Sequence, residues 1–262
     1  MFDPKYRSIF ISDIHLGSRA CQADLLAQFL KTNTCENLYL VGDIFDLWKL
    51  KSSRYWPQSH SNVVRRFLTA AKRGSQIYYV LGNHDEYLRT WISDINAFGN
   101  ISIANSFDHY TVSGQRLLVT HGDLFDGLIR YHKWLSVLGD HAHSFVLWLN
   151  TGLNFCRRQI GKDYWSFSNF LKTNTKQAVA FITRYQYHLT QYARDEAYHG
   201  VICGHIHSAS IQVSEDGFVY CNTGDWCETV SAIAEDFEGK FHLLVWDTNS
   251  NQMQIKQTWE PL

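Results

Sequence analysis

Short apolar runs recur along this chain, and each gives out at a polar cluster. Ser8-Ile9-Phe10-Ile11 ends at Asp13, Leu38-Tyr39-Leu40-Val41 ends at Gly42-Asp43, and Ile77-Tyr78-Tyr79-Val80-Leu81 ends at Gly82-Asn83-His84-Asp85. Runs of four or five apolar residues bounded by turn formers have the length of buried strands. Between them, Ala23 to Lys31 carries apolar residues at Leu25, Leu26, Phe29 and Leu30, and Val63 to Lys72 is amphipathic up to Gly74. Both spacings are helical, and glycine is an ordinary C-terminal cap. Strand, helix, strand, helix, strand predicts parallel pairing through crossover helices, hence an α/β fold.

After Leu117-Leu118-Val119 and His121 the pattern changes. Residues 126–198 lack strand alternation and read as several helices, rich in aromatics such as Tyr131, Trp134, Trp148, Phe155, Trp165 and Phe170. Strands resume at Val201-Ile202-Cys203, Phe218-Val219-Tyr220-Cys221 and His242-Leu243-Leu244-Val245-Trp246. The expected organisation is one α/β domain over residues 1–262, interrupted by a helical insertion over 126–198.

At 262 residues the chain is long enough for one substantial core. Its net charge of -1 excludes a nucleic-acid polycation or an acidic disordered tail. No apolar run approaches the roughly twenty residues of a membrane span, and no signal-like segment precedes the first strand. A cytoplasmic protein is expected, one able to rest on a membrane surface. The six cysteines show no C-x-x-C spacing and read as reduced, buried thiols. Cys227, beside a polar turn, is the one candidate for reactivity.

Two further clusters, Thr120-His121-Gly122-Asp123 and Gly204-His205-Ile206-His207, bring the total to five. All consist of Asp, Asn and His, the donors that suit divalent metal ions. Residues two apart on a strand share a face, so Asp13 with His15, and His205 with His207, are each expected to grip one ion. Open α/β sheets hold ligands outside the carboxyl ends of their strands, where all five clusters would converge. A single His or Gly-Asp in a turn is an ordinary surface feature; five strand-terminal clusters of one chemistry are not.

These five clusters resemble, in order and complete, the motifs of the calcineurin-like metallophosphoesterases. The resemblance implies a four-layer α/β/β/α sandwich around two divalent metal ions, with Mn²⁺ the expected metal. It implies that Asp13, His15, Asp43 and His207 hold one ion and that Asp43, Asn83, His121 and His205 hold the other. His84 would be the outer residue that bonds the phosphoryl group, Asn83 also lying against it, or protonates the leaving oxygen.

Further stretches are similar to bacterial UDP-2,3-diacylglucosamine diphosphatases: Gly42 to Trp48, Tyr55 to His60, His121 to Gly127, Asn150 to Asn154 and Cys221 to Trp226. That family cleaves the pyrophosphate of a nucleotide-sugar lipid in lipid A biosynthesis, giving UMP and 2,3-diacylglucosamine 1-phosphate, with the insertion acting as a lid over the acyl chains. The best-characterised branch carries Arg where this chain has His84, so the similarity is to the branch that keeps His. Between 126 and 198 the basic residues outnumber the acidic by four, which fits an anionic head with apolar tails and an anionic inner-membrane surface. Asp126, Lys172 and Lys176 are the candidate head-group contacts, the two lysines sharing a helical face. A cyclic-nucleotide phosphodiesterase would not need so long an aromatic, basic insertion. A protein phosphatase of this superfamily would carry an Arg after Asp43. A non-catalytic scaffold would have lost ligands, and none is missing here. No protein or nucleic-acid partner is suggested.

Overall fold

The computed structural model describes residues 3–91, 97–128 and 176–261. Its strands are β1 (Tyr6–Ile11), β2 (Cys35–Val41), β3 (Gln76–Val80), β4 (Ala97–Phe98), β5 (Ile101–Ala104), β6 (Ser106–Tyr110), β7 (Arg116–Thr120), β8 (Gly200–Cys203), β9 (Ser210–Val213), β10 (Val219–Asn222), β11 (Ser231–Glu235), β12 (Phe241–Asp247) and β13 (Gln252–Trp259). Four α-helices are described: α1 (Ala23–Thr32), α2 (Leu47–Ser53), α3 (Gln58–Arg73) and α4 (Lys176–Asp195). The strands form an eight-stranded sheet, β13-β12-β11-β1-β2-β3-β5-β4, and a five-stranded sheet, β6-β7-β8-β10-β9. As expected from the alternation, β1, β2 and β3 run parallel in adjacent register.

Three apolar clusters define the layers. The outer face of the large sheet buries Ile9, Ile11, Leu38, Leu40, Ile77 and Tyr79 against Leu26 and Phe29 of α1 and Val63 and Phe67 of α3. Its inner face meets the second sheet through Phe10, Tyr39, Val41 and Val80 on one side and Val119, Ile202, Val219 and Cys221 on the other. The outer face of the second sheet, with Leu118, Val201 and Cys203, takes Tyr185, Leu189 and Ala193 of α4. Helix, sheet, sheet, helix is the four-layer sandwich. It arises because strands buried on both faces must be apolar at every position, as these runs are.

Of the helices expected over 126–198, α4 and a short 3₁₀ turn at Asp123–Leu128 are described, and 129–175 lies outside the described residues. α3 starts five residues before the apolar spacing begins, its first turn set by Pro57, whose fixed φ suits a helix entrance. β11 escaped the apolar pattern because its Ser-Ala-Ile-Ala-Glu sequence is small and polar, yet every residue is buried between β1 and β12.

Glu235 at the end of β11 is buried in the inner layer. Its carboxylate accepts from Arg7 at 2.6 Å and lies 3.0 Å from His109 Nε2, while Nδ1 of that ring meets the Tyr39 hydroxyl at 3.1 Å. The network ties β1, β2 and β11 to β6 of the other sheet. Burial alone would raise the Glu235 pKa, but His109 and Arg7 hold it below the ordinary 4.5. A carboxyl depressed in the fold contributes stability above its unfolded pKa and loses it as pH falls through the folded value. Glu235→Gln should therefore destabilise by roughly 3 kcal/mol at pH 7, the lower end for a broken buried pair because Arg7 is partly in water. The gap to the wild type should shrink below about pH 4.5. Urea melts at both pH values test this, and a pH-independent gap would contradict it.

Candidate metal centre

The five clusters leave the carboxyl ends of strands in two sheets, not along one edge of a single sheet. Those carrying Asp13, Asp43 and Asn83 follow β1, β2 and β3, while those carrying His121 and His205 follow β7 and β8 of the second sheet. The strand-alternation argument for Asp13 with His15 also needs correction, since β1 ends at Ile11. Asp13, His15, Asp43, His205 and His207 all adopt the left-handed backbone, with φ between 50° and 69°. For non-glycine residues this costs of order 1–3 kcal/mol each, and such strain persists only where surrounding structure over-determines it. Here neighbouring loops do so: Asp13 N–H donates to Gly42 O at 3.0 Å, His15 N–H to Asp43 O at 2.9 Å and Gly204 N–H to His121 O at 3.2 Å.

The side chains converge accordingly. His207 Nε2 lies 3.0 Å from Asp13 Oδ1, and His15 Nε2 lies 3.9 Å from both Asp13 Oδ1 and Asp43 Oδ2. His121 Nε2 is 3.4 Å from Asp43 Oδ2, and its ring is 5.1 Å from that of His205. Asp13, His15 and His207 offer three donor atoms within 4.8 Å of one another, as do Asp13, Asp43 and His121. Asp13 thus belongs to both groups, and Asp43 reaches toward ligands of both.

The donors fit metal ions in a way that ordinary hydrogen bonding does not explain. Asn83 Oδ1 is buried with no hydrogen-bond partner, while the buried Asp13 Oδ1 and His121 Nε2 face other metal-type side chains, His207 at 3.0 Å and Asp43 at 3.4 Å. His121 Nδ1–H donates to Val41 O at 2.9 Å, which turns Nε2 toward the Asp43 carboxylate. Positive charge must lie between the two, carried by a proton on the imidazole or by a metal ion. Room is kept by two glycines: a Cβ on Gly42 would fall 2.3 Å from the His121 ring, and one on Gly82 would fall 2.2 Å from Asp43 Oδ1. Burial opposes ionisation of Asp13, yet His207 and His121 outweigh it and hold the carboxyl below its usual range. Burial likewise opposes charge on His15, but Asp46, Asp43 and Asp13 push that imidazole up to about 9. The pocket is built to stabilise cations.

His84 sits at the rim of this cluster. Its N–H donates to Asp43 Oδ1 at 2.8 Å, its Nδ1 lies 3.1 Å from Asp46 Oδ1, and its ring packs 4.2 Å from that of Trp48. Asp46 was not singled out from sequence as a site residue. Its carboxylate caps α2 through Lys49 N–H at 2.9 Å, and its second oxygen lies 3.7 Å from His15 Nδ1. The available signal was its place inside the Gly42-to-Trp48 stretch that resembles the diphosphatases. Asp85 is the opposite case. Grouped by sequence with the ligand-type residues, it turns inward, accepting from Gly82 N–H at 2.5 Å, Ile44 N–H at 2.9 Å and the Tyr79 hydroxyl at 2.6 Å. It braces the loops after β2 and β3. Arg89 joins the loops after β3 and β7, bonding Asp123 at 2.8 Å and Leu81 O at 3.0 Å.

Of the head-group candidates, Lys172 lies outside the described residues, as do the side chains of Asp126 and Lys176; the backbones of these two fall in the 3₁₀ turn and at the start of α4. Cys21, Cys35, Cys203, Cys221 and Cys227 are free thiols. Burial, with Asp225 adding to it, pushes the Cys227 thiol well up, so it is not a poised nucleophile.

The calcineurin-like phosphoesterase family model matches residues 6–209, a stretch that includes all five clusters. The chain belongs to that family. This phosphoesterase is a metal-dependent hydrolase. It is 23% identical over 238 residues to a UDP-2,3-diacylglucosamine hydrolase of Histophilus somni (strain 129Pt), a match covering 89% of this chain and 97% of that protein. It is 32% identical over 155 residues to the enzyme of the same name from Aeromonas salmonicida (strain A449), covering 58% of each. Among solved structures, Vps29 of Chaetomium thermophilum shares the phosphoesterase fold, with a TM-score of 0.51 at 8% identity over 99% of this chain and all of that one.

Proposed function

We propose that the protein hydrolyses the pyrophosphate of UDP-2,3-diacylglucosamine, giving UMP and 2,3-diacylglucosamine 1-phosphate for lipid A biosynthesis. The observation that carries this reading is the buried convergence of metal-type donors in a chain similar, along nearly its whole length, to enzymes named for that substrate. In this reading Asp13, His15, Asp43 and His207 hold one divalent ion, and Asp43, Asn83, His121 and His205 the other, with Mn²⁺ the expected metal. Such a pair neutralises charge on phosphoryl oxygens and supplies a water nucleophile at neutral pH.

The chain's own residues do the rest. Water adds to one phosphorus as the bridging P–O bond breaks, and the departing phosphate oxygen must take up charge or a proton. With Nδ1 engaged by Asp46, Nε2 is the His84 ring atom left to meet that oxygen. Asn83 presents its amide oxygen from the same loop. Residues 126–198 act as a helical lid on the one domain, where the excess of basic and aromatic residues suits a charged head with acyl chains. Asp126, Lys172 and Lys176 contact the head group. We place the protein in the cytoplasm, resting against the inner membrane; no described helix is long and apolar enough to cross one.

A second reading, cleavage of another nucleotide- or lipid-linked phosphodiester, is favoured by His84 standing where the best-characterised lipid A branch has Arg. Mn²⁺-loaded protein should release UMP from UDP-2,3-diacylglucosamine and not from UDP-N-acetylglucosamine. Turnover of bis-p-nitrophenyl phosphate with no action on the acylated substrate would overturn the lipid reading and leave the second one standing.

A further inference from the structure

α4 sets Phe181, Tyr185, Leu189 and Ala193, four residues apart, against the outer face of the second sheet. Three of these need only be apolar. Tyr185 is different because it carries a polar group, a hydroxyl, on a fully buried side chain. Its hydroxyl donates to the carbonyl of His121 at 3.3 Å, and its ring lies 5.8 Å from that of His205, tilted by 44°. Gly122, with φ +106°, makes way for it: a Cβ there would lie 1.7 Å from the Tyr185 oxygen. A buried hydroxyl costs stability unless it is bonded, so phenylalanine would be the cheaper filler if packing were all that mattered here. One side chain from α4 therefore holds the backbone of one imidazole donor and walls the ring of another.

We propose that Tyr185 is a positioning residue for the cation position shared by His121 and His205, so that the hydroxyl and ring of this one side chain set how tightly that ion is held. The inference rests on the ligand assignment proposed above. It goes beyond it by making metal retention depend on a side chain that is not itself a ligand.

The test is equilibrium binding of Mn²⁺ to chelator-stripped full-length protein, with free Mn²⁺ read by electron paramagnetic resonance. Wild-type protein should show two sites. Tyr185→Phe keeps the ring and removes the hydroxyl that bonds the His121 carbonyl, so one site should weaken by about fivefold. Tyr185→Leu also removes the ring wall and should weaken that site by roughly tenfold or more, the scale seen when the support of a ligand is lost. The other site should be unchanged in both. Leu189→Ala, one turn along the same stripe, should lower the melting temperature while moving neither Mn²⁺ affinity. Wild-type affinities in Tyr185→Phe, or equal weakening in Leu189→Ala, would overturn the role of Tyr185. A wild-type protein binding fewer than two ions would instead sink the ligand assignment, and this inference with it.

Discussion

His84→Ala is expected to lower turnover by about 10²–10⁴, the range for a positioned general acid, while both metal ions stay bound. The geometry separates these two effects. The contact between His84 and the carboxylate of Asp43 is made by the backbone N–H, which alanine retains. The imidazole itself bonds Asp46 and packs on Trp48, neither of which is in the proposed ligand set, and its contact with the proposed ligand His15 is edge-to-face ring packing at 4.6 Å. The loss should therefore fall on kcat with metal stoichiometry unchanged, and metal analysis beside steady-state kinetics will show it. If metal content fell in step with activity, His84 would be a ligand and its proposed role would fail.

Asp43→Asn should do the reverse and damage metal binding first. Asp43 Oδ2 is the atom that faces both His121 and His15, while Oδ1 accepts from His84 N–H. Asparagine keeps the shape and an oxygen for that last bond but removes the charge that offsets a cation. A support residue outside the ligands is worth 10–100-fold in metal affinity, so a shared carboxylate should cost more than about 100-fold. Activity should drop by at least a comparable factor and return only partly at high Mn²⁺. An Asp43→Asn protein that bound two ions with wild-type affinity would show that Asp43 holds neither. Together the two variants separate a residue that acts on the substrate from one that acts on the metal.

Some of this was legible in the residues alone. Apolar runs of strand length identified β1, β2, β3, β7, β8, β10 and β12 to within a few residues, because burial on both faces leaves an uninterrupted apolar signature. The residue types in the five clusters named the chemistry, since oxygen and imidazole donors in that number have few other uses. β13 and α2 gave no such signature. β13 is an edge strand whose side chains mostly face solvent, and α2 has no buried residue at all.

Sequence by itself determined the family and that its metal-type side chains stand at the ends of strands. Tertiary structure decided how they meet. That the clusters come from two sheets follows from the inner apolar layer, whose contacts join residues more than a hundred positions apart, as Val41 and Val80 do with Ile202 and Val219. Asp and His tolerate the left-handed backbone better than most residues, but the turns at Asp13, Asp43 and His205 are held there because loops from separate strands bond across one another. Asp46 and Asp85 show the same limit from opposite sides: two carboxylates in equally suggestive positions, one turned toward the imidazoles and one toward backbone amides. Which way each faces is set by the donors that packing brings within reach, and those donors lie elsewhere in the chain.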